Sequence, residues 1–272
     1  MTSASDEPVT LACDLVGAGS EAVMLLHGFL GSARNLRTLA QRWQQLQPEN
    51  RFVLPDLRGH GVSPPLPAGG NVTLAALAAD VLATARQQEL TPPYRLVGHS
   101  LGGRVALAAA RIAPESIAEI ALLDIGPGPI DPAKSESRRV LDVLLAAPDE
   151  AHDRRELRGF FVGRGLSPPL TDWLLMNLET VAGRVRWRID RQALEKLHSQ
   201  SMAEDLWDVV QAKAVALRCV RGARSGYVSD AEAARLRAAG CPTATLPDAG
   251  HFVHVDALPA LLDWLTGPAA GD

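Results

Sequence analysis

Short apolar runs alternate with longer amphipathic stretches over the first half of the chain. Ala22-Val23-Met24-Leu25-Leu26 reads as a buried strand, and so do 51–54, 95–97 and 117–123. Helical patterns fill the gaps at about 32–46, 73–89 and 101–113. The second of these opens on Asn71-Val72-Thr73, good N-cap chemistry, and sets Leu74, Leu77, Ala78 and Val81 on one face. Strand–helix–strand alternation predicts an α/β fold, a mostly parallel sheet covered by helices on both faces. An edge strand is expected before it, at 9–15.

The pattern breaks at Gly126-Pro127-Gly128-Pro129. From Ile130 to about Leu206 the sequence reads as helical and charged, with Arg138-Arg139, Arg154-Arg155 and Glu156 set among apolar pairs. The strongest strand signal there is 185–189. Alternation then resumes with a strand at 214–220, a helix from Asp230, a strand at 244–246 and a last helix near 258–265. One α/β core made of 1–127 and 207–272, interrupted by a helical cap at 128–206, explains this better than two sequential domains. The tail 267–272 is expected to fray.

Length and charge narrow the class. A chain of 272 residues buries a sizeable core without staples. Its 27 Lys and Arg against 31 Asp and Glu give a net charge of −4, which is not the footprint of a nucleic-acid binder. No apolar run approaches the roughly 18 residues of a membrane span, and the acidic start Met1 to Pro8 lacks a signal peptide's basic and apolar regions. Cys13, Cys219 and Cys241 are an odd, widely spaced set without CxxC spacing, which argues against a disulfide framework. A cytoplasmic globular enzyme is expected, monomer or homodimer, acting on a small molecule with no nucleic-acid or membrane partner.

The chemistry begins at Gly98-His99-Ser100-Leu101-Gly102, which follows one strand and precedes a helix. A nucleophile on such a turn is forced into strained φ/ψ, and the glycines two residues to either side make room for it. The serine then projects at the sheet's carboxyl edge, beside a helix N-terminus with free N–H groups. Leu26-His27-Gly28-Phe29 ends an earlier strand, so that the Phe29 amide, with the Leu101 amide, forms a two-donor oxyanion hole. The His27 side chain reads as structural, and the charges of Asp56 to Ser63 as loop-fixing. Of seven histidines, His251 lies on the loop after the last strand, where a base belongs. His99 is expected to point away from Ser100, His254 to be structural or partly exposed, and His152 and His198 to sit on charged helical faces.

Taken in order, His27-Gly28-Phe29, the 56–63 loop, the 98–102 elbow and Gly250-His251 resemble the α/β-hydrolase family, with its eight-stranded type of sheet. The sequence departs from that family at the acid. The usual turn reads here Arg221-Gly222-Ala223-Arg224-Ser225-Gly226-Tyr227-Val228, with Ser225 in the acid's place. Serine carries no charge to stabilise an imidazolium. Asp124 ends the strand expected to neighbour that of Ser100, about 4.8 Å away, and a carboxylate there is costly unless paired. Its rivals are Asp230, a good helix cap, Asp248, which shapes a turn, and no acid at all; Asp124 itself reads alternatively as a loop cap.

The relocated acid after the sixth strand, with Arg-Gly-x-x-Ser-x-Tyr-Val and Arg186-Trp187-Arg188-Ile189, is similar to a bacterial esterase and thioesterase subgroup with abhydrolase-domain relatives. That resemblance implies Ser100, Asp124 and His251 as a triad acting on short-to-medium acyl esters and thioesters, with no metal or organic cofactor required. Carbon–carbon hydrolysis, perhydrolysis, amide cleavage and a non-catalytic binding module are the alternatives. In the insertion, Phe160, Phe161, Leu170, Trp173, Leu174, Met176 and Trp187 offer walls for an acyl chain or simply a core for the cap. Arg184, Arg186, Arg188 and Arg191 read as a solvated helix face, or as partners for a carboxylate or phosphate.

Overall fold

The second strand divides its side chains between two cores. In the chain's computed structural model, which describes residues 7–67 and 73–267, β1 spans Cys13–Val16 and β2 spans Glu21–Leu26. Val23 and Leu25 enter one buried cluster, while Met24 and Leu26 enter the other. That period of two is what a strand covered on both faces requires. The first cluster is filled by α1 (Ala33–Leu46), whose Leu36, Leu39, Ala40 and Trp43 share one face. The expectations for 1–6, Asn71, Val72 and 268–272 lie outside the described residues.

The chain continues through β3 (Asn50–Pro55), α2 (Leu74–Gln87), β4 (Tyr94–His99), α3 (Leu101–Ile112) and β5 (Ile117–Leu123). Thr73 Oγ1 caps α2 by accepting the Ala76 N–H at 3.1 Å. The segment that follows contains α4 (Glu136–Leu145), β6 (Glu150–Ala151), α5 (Arg154–Val162), α6 (Pro168–Leu174), β7 (Leu178–Val181), β8 (Arg184–Trp187) and α7 (Arg191–Ala203). It returns through α8 (Trp207–Ala212) to β9 (Ala216–Gly222), α9 (Asp230–Ala238), β10 (Thr243–Leu246), α10 (Val253–Asp256) and α11 (Leu258–Thr266).

Among the described residues the main sheet has seven strands in the order β1-β3-β2-β4-β5-β9-β10, not the eight expected. Only β1 runs antiparallel. The strand before Asp124 is accordingly the fifth in chain order, not the sixth. β1 is also shorter than the stretch 9–15, because the Val9 and Leu11 amides donate to Asp80 Oδ1 (2.8 Å) and Thr84 Oγ1 (3.1 Å) on α2 instead of to a strand.

The segment between β5 and β9 is not purely helical. β6, β8 and β7 form a small antiparallel sheet. Its signal was the alternation in Arg184-Val185-Arg186-Trp187, and the hairpin turns on Ala182 and Gly183, both at positive φ (49° and 78°). Arg104 of α3 fastens this segment at both ends. Its buried guanidinium donates to Gly126 O (3.1 Å) and Gly128 O (2.8 Å) at the entrance, and to Ser201 O (2.8 Å) and Glu204 O at the exit. No helix of the described residues is long and apolar enough to cross a membrane.

Candidate active site

β4 delivers the chain to Ser100, which holds φ 52° and ψ −118° ahead of α3. A non-glycine residue at positive φ is strained, and the surroundings enforce it. The Ser100 N–H donates to Leu123 O at 3.2 Å, and its carbonyl accepts the Gly103 N–H at 3.0 Å. A Cβ at Gly98 would lie 2.4 Å from the backbone of Gly102, and one at Gly102 would lie 2.2 Å from Leu26 O. Only glycine fits at either place, which explains the elbow's spacing.

Asp124 follows β5 directly, also at φ 52°. Its fully buried carboxylate receives three donors: the Gly222 N–H on Oδ1 (2.9 Å), and His251 Nδ1 (2.7 Å) and the Ser225 hydroxyl on Oδ2. These bonds offset the cost of burying the charge. His251 sits between β10 and α10, and its carbonyl accepts His99 Nε2–H at 2.9 Å. With Nδ1 committed to Asp124, the other ring nitrogen is the one available for proton transfer. His251 and Ser100 line the same cavity.

The loop after β2 passes beside the serine, since a Cβ at Gly28 would lie 3.3 Å from Ser100 Cβ. The Phe29 and Leu101 amides take part in none of the loop and cap backbone bonds among the described residues. His27 is structural. Its Nε2 accepts the Leu57 N–H (2.9 Å), so Nδ1 carries the proton and donates to Gly28 O (2.8 Å). Burial pushes its pKa down to about 4. The 56–63 charges fix loops: Asp56 accepts the Ala33 and Val62 amides (2.7 and 2.8 Å), and Arg58 pairs with buried Asp80.

The cavity measures about 90 Å³ and is walled mainly by apolar groups, among them Phe29, Leu36, Val140, Leu170 and Trp173. Phe161 and Leu174 are instead buried in the inserted segment, and Trp187 packs on Phe161 with its indole N–H donating to Pro148 O at 2.8 Å. Met176 lies outside this cavity, in a neighbouring depression, and Phe160 lies beneath the Arg164 guanidinium. The four arginines share no helix face, since Arg184 and Arg186 stand on β8 and only Arg191 on α7, and they are engaged elsewhere. Arg184 pairs with Glu150, Arg186 with Glu179 and Arg191 with Asp149, while Arg188 donates to Met176 O and Leu178 O.

Asp230 is exposed and pairs with Arg221 at 2.5 Å, and the Asp248 carbonyl takes Arg224. Neither is bonded to His251. Ser229, not Asp230, caps α9. Three histidine expectations need correction: His152 is exposed on the bend between β6 and α5 and lies on no helix face. His198 is buried, bonded to Ser137 Oγ (2.7 Å) and packed on Phe29, and His99 lines the same cavity as Ser100, its ring tilted 43° to that of His251 with centres 4.6 Å apart. The three cysteines are free. The Ser225–Asp124 bond and the face of Tyr227 against His251 were not foreseen; both join side chains from different strand ends.

A family model described as the alpha/beta hydrolase fold matches residues 21–155. Lipase LipV of Mycobacterium tuberculosis is 31% identical over 246 residues, covering 87% of this chain and 88% of that protein. The mouse sn-1-specific diacylglycerol lipase ABHD11 is 27% identical over 273 residues, covering 95% of this chain and 85% of that protein. A solved structure of a marine microorganism esterase shares the fold at a TM-score of 0.83 and 23% identity, over 94% of this chain and 98% of its own. The chain belongs to the α/β-hydrolase family. It is a hydrolase enzyme.

Proposed function

We propose that this chain cleaves short-to-medium acyl carboxylic esters, and thioesters with them, through Ser100, His251 and Asp124. One observation carries the reading: the 2.7 Å bond from His251 Nδ1 to buried Asp124, with Ser100 on a strained turn of the same cavity. Ser100 Oγ attacks the acyl carbon while His251 Nε2 takes its proton, and Asp124 holds the tautomer and balances the imidazolium. The Phe29 and Leu101 amides receive the oxyanion. The proton then passes to the leaving alcohol or thiol, and water, activated by the same His251, releases the acid from the acyl-enzyme.

The inserted segment acts in this reading as a cap. Leu170, Trp173 and Val140 reach from it into the cavity wall, a surface suited to an acyl chain. Among the described residues no Arg or Lys lines that wall. This favours neutral acyl groups over the carboxylate-bearing substrates that carbon–carbon hydrolysis would call for. The names of the relatives, a lipase and a diacylglycerol lipase, support ester bonds as the target.

A panel of p-nitrophenyl esters and acyl thioesters of graded length tests the reading. Specificity should peak at roughly two to eight acyl carbons, as a pocket rather than a long tunnel implies. Turnover of no ester and no thioester would overturn it.

A further inference from the structure

His251 is held in its plane by one bond, but an imidazole hinged on one nitrogen still tilts about that bond. A second ring packs against it. Tyr227 lies face to face with His251, ring centres 3.9 Å apart and planes at 22°. The other rings around His251 are more distant, His99 at 4.6 Å and Phe252 at 5.5 Å, and neither lies as parallel.

Tyr227 is half-buried, packed on the core along one side only. It lines the Ser100 cavity and also a second depression of about 450 Å³, so part of its surface meets open space. Two polar bonds compensate. Its N–H donates to Ser225 Oγ at 3.3 Å, the hydroxyl that donates onward to Asp124. Its own hydroxyl accepts the Ser137 N–H at 3.0 Å. That amide belongs to the first turn of α4, where helix N–H groups lack intrahelical partners. Ser137 is fixed in turn by its hydroxyl, bonded to Ser135 Oγ (2.8 Å) and to His198, whose ring lies 4.8 Å from that of Phe29.

We propose that Tyr227 is a positioning residue for His251, and that its hydroxyl makes the base's alignment depend on α4 of the inserted segment. The inference rests on the ester-hydrolase reading above. The inserted segment then does more than wall the acyl group. It sets the plane of the base through Tyr227, and braces the Phe29 loop through His198.

The test uses the full chain with p-nitrophenyl acetate, an ester whose acetyl group is too small to reach far along the cavity. kcat and KM are measured for Tyr227→Phe and Tyr227→Leu, with melting temperature as the check on folding. Phe keeps the stacked face and loses the tether; Leu keeps bulk and loses the face. Leu should lower kcat roughly tenfold or more, since small misplacements of a catalytic group are costly, with KM nearly unchanged. Phe should lower it about two- to fivefold. Should the Leu variant not fold, Tyr227→Gln is measured against the same expectation as Leu. A Leu or Gln variant with wild-type kcat, a Phe variant as slow as Leu, or a change confined to KM would overturn the positioning role. A Phe variant equal to wild type would overturn the link to α4. A wild-type chain that turns over no ester or thioester would overturn the underlying reading instead.

Discussion

Ser225 and His251 donate to the same oxygen of Asp124. In the mechanism proposed above, the turn after β9 serves the acid through Ser225 without supplying it. Ser225→Ala removes one of three donors and leaves the 2.7 Å His251 bond in place. The loss should be about ten- to a hundredfold in kcat, the worth of one hydrogen bond to a charged group. Steady-state kinetics on a short ester check this. A thousandfold loss would give Ser225 a direct part in the chemistry.

Asp124→Asn should cost far more, up to about four orders of magnitude in kcat, by favouring the wrong His251 tautomer. Asp230→Ala and Asp248→Ala should each keep more than about a tenth of the activity, because neither side chain meets His251 and the triad geometry is untouched. A near-active Asp124→Asn beside a dead Asp230→Ala would move the acid back to the family's usual turn.

Arg104→Met keeps the stem and abandons four carbonyls, three in buried bonds, at the two ends of the inserted segment. Such a loss should cost about 3 kcal/mol or more. Urea denaturation measures it, and a cost below about 1 kcal/mol would show that water replaces the guanidinium freely.

Burial pushes His27, His198 and His254 down from 6.5 to about 4, and His60 to about 3. Below pH 6.5 the unfolded chain binds protons that the folded chain refuses, so ν_U exceeds ν_N and stability falls with pH. The contribution is complete above about 6.5 and is lost as pH drops towards about 4. Unfolding midpoints should therefore fall through this window, and His198→Gln, which keeps a partner for Ser137, should flatten the decline. An unchanged slope would contradict it.

What was legible in the sequence was local. The elbow announces itself because strand, glycines, serine and helix are contiguous, and His251 because it follows the last strand. Asp124 could be reached by one further step, strand adjacency. The small β6-β8-β7 sheet was legible only as the strand signal at 185–189, because paired arginines on a short strand imitate a charged helical face. Ser225 and Asp124 lie 101 residues apart, so their bond has no sequence signature. His198 was different: Leu194, Leu197, Ser201 and Met202 are buried at helical spacing around it, a signal that the expected charged helical face passed over.

The most direct test of the proposed chemistry is covalent capture. The wild-type chain is treated with a fluorophosphonate, and the adduct is located by peptide mass spectrometry. A single adduct on Ser100 is expected, absent from a folded Ser100→Ala variant and formed at least about a hundredfold more slowly in Asp124→Asn, since the base then lacks its proper tautomer. No adduct, an adduct on another residue, or labelling of Asp124→Asn at the wild-type rate would contradict a Ser100 nucleophile driven by His251 and Asp124.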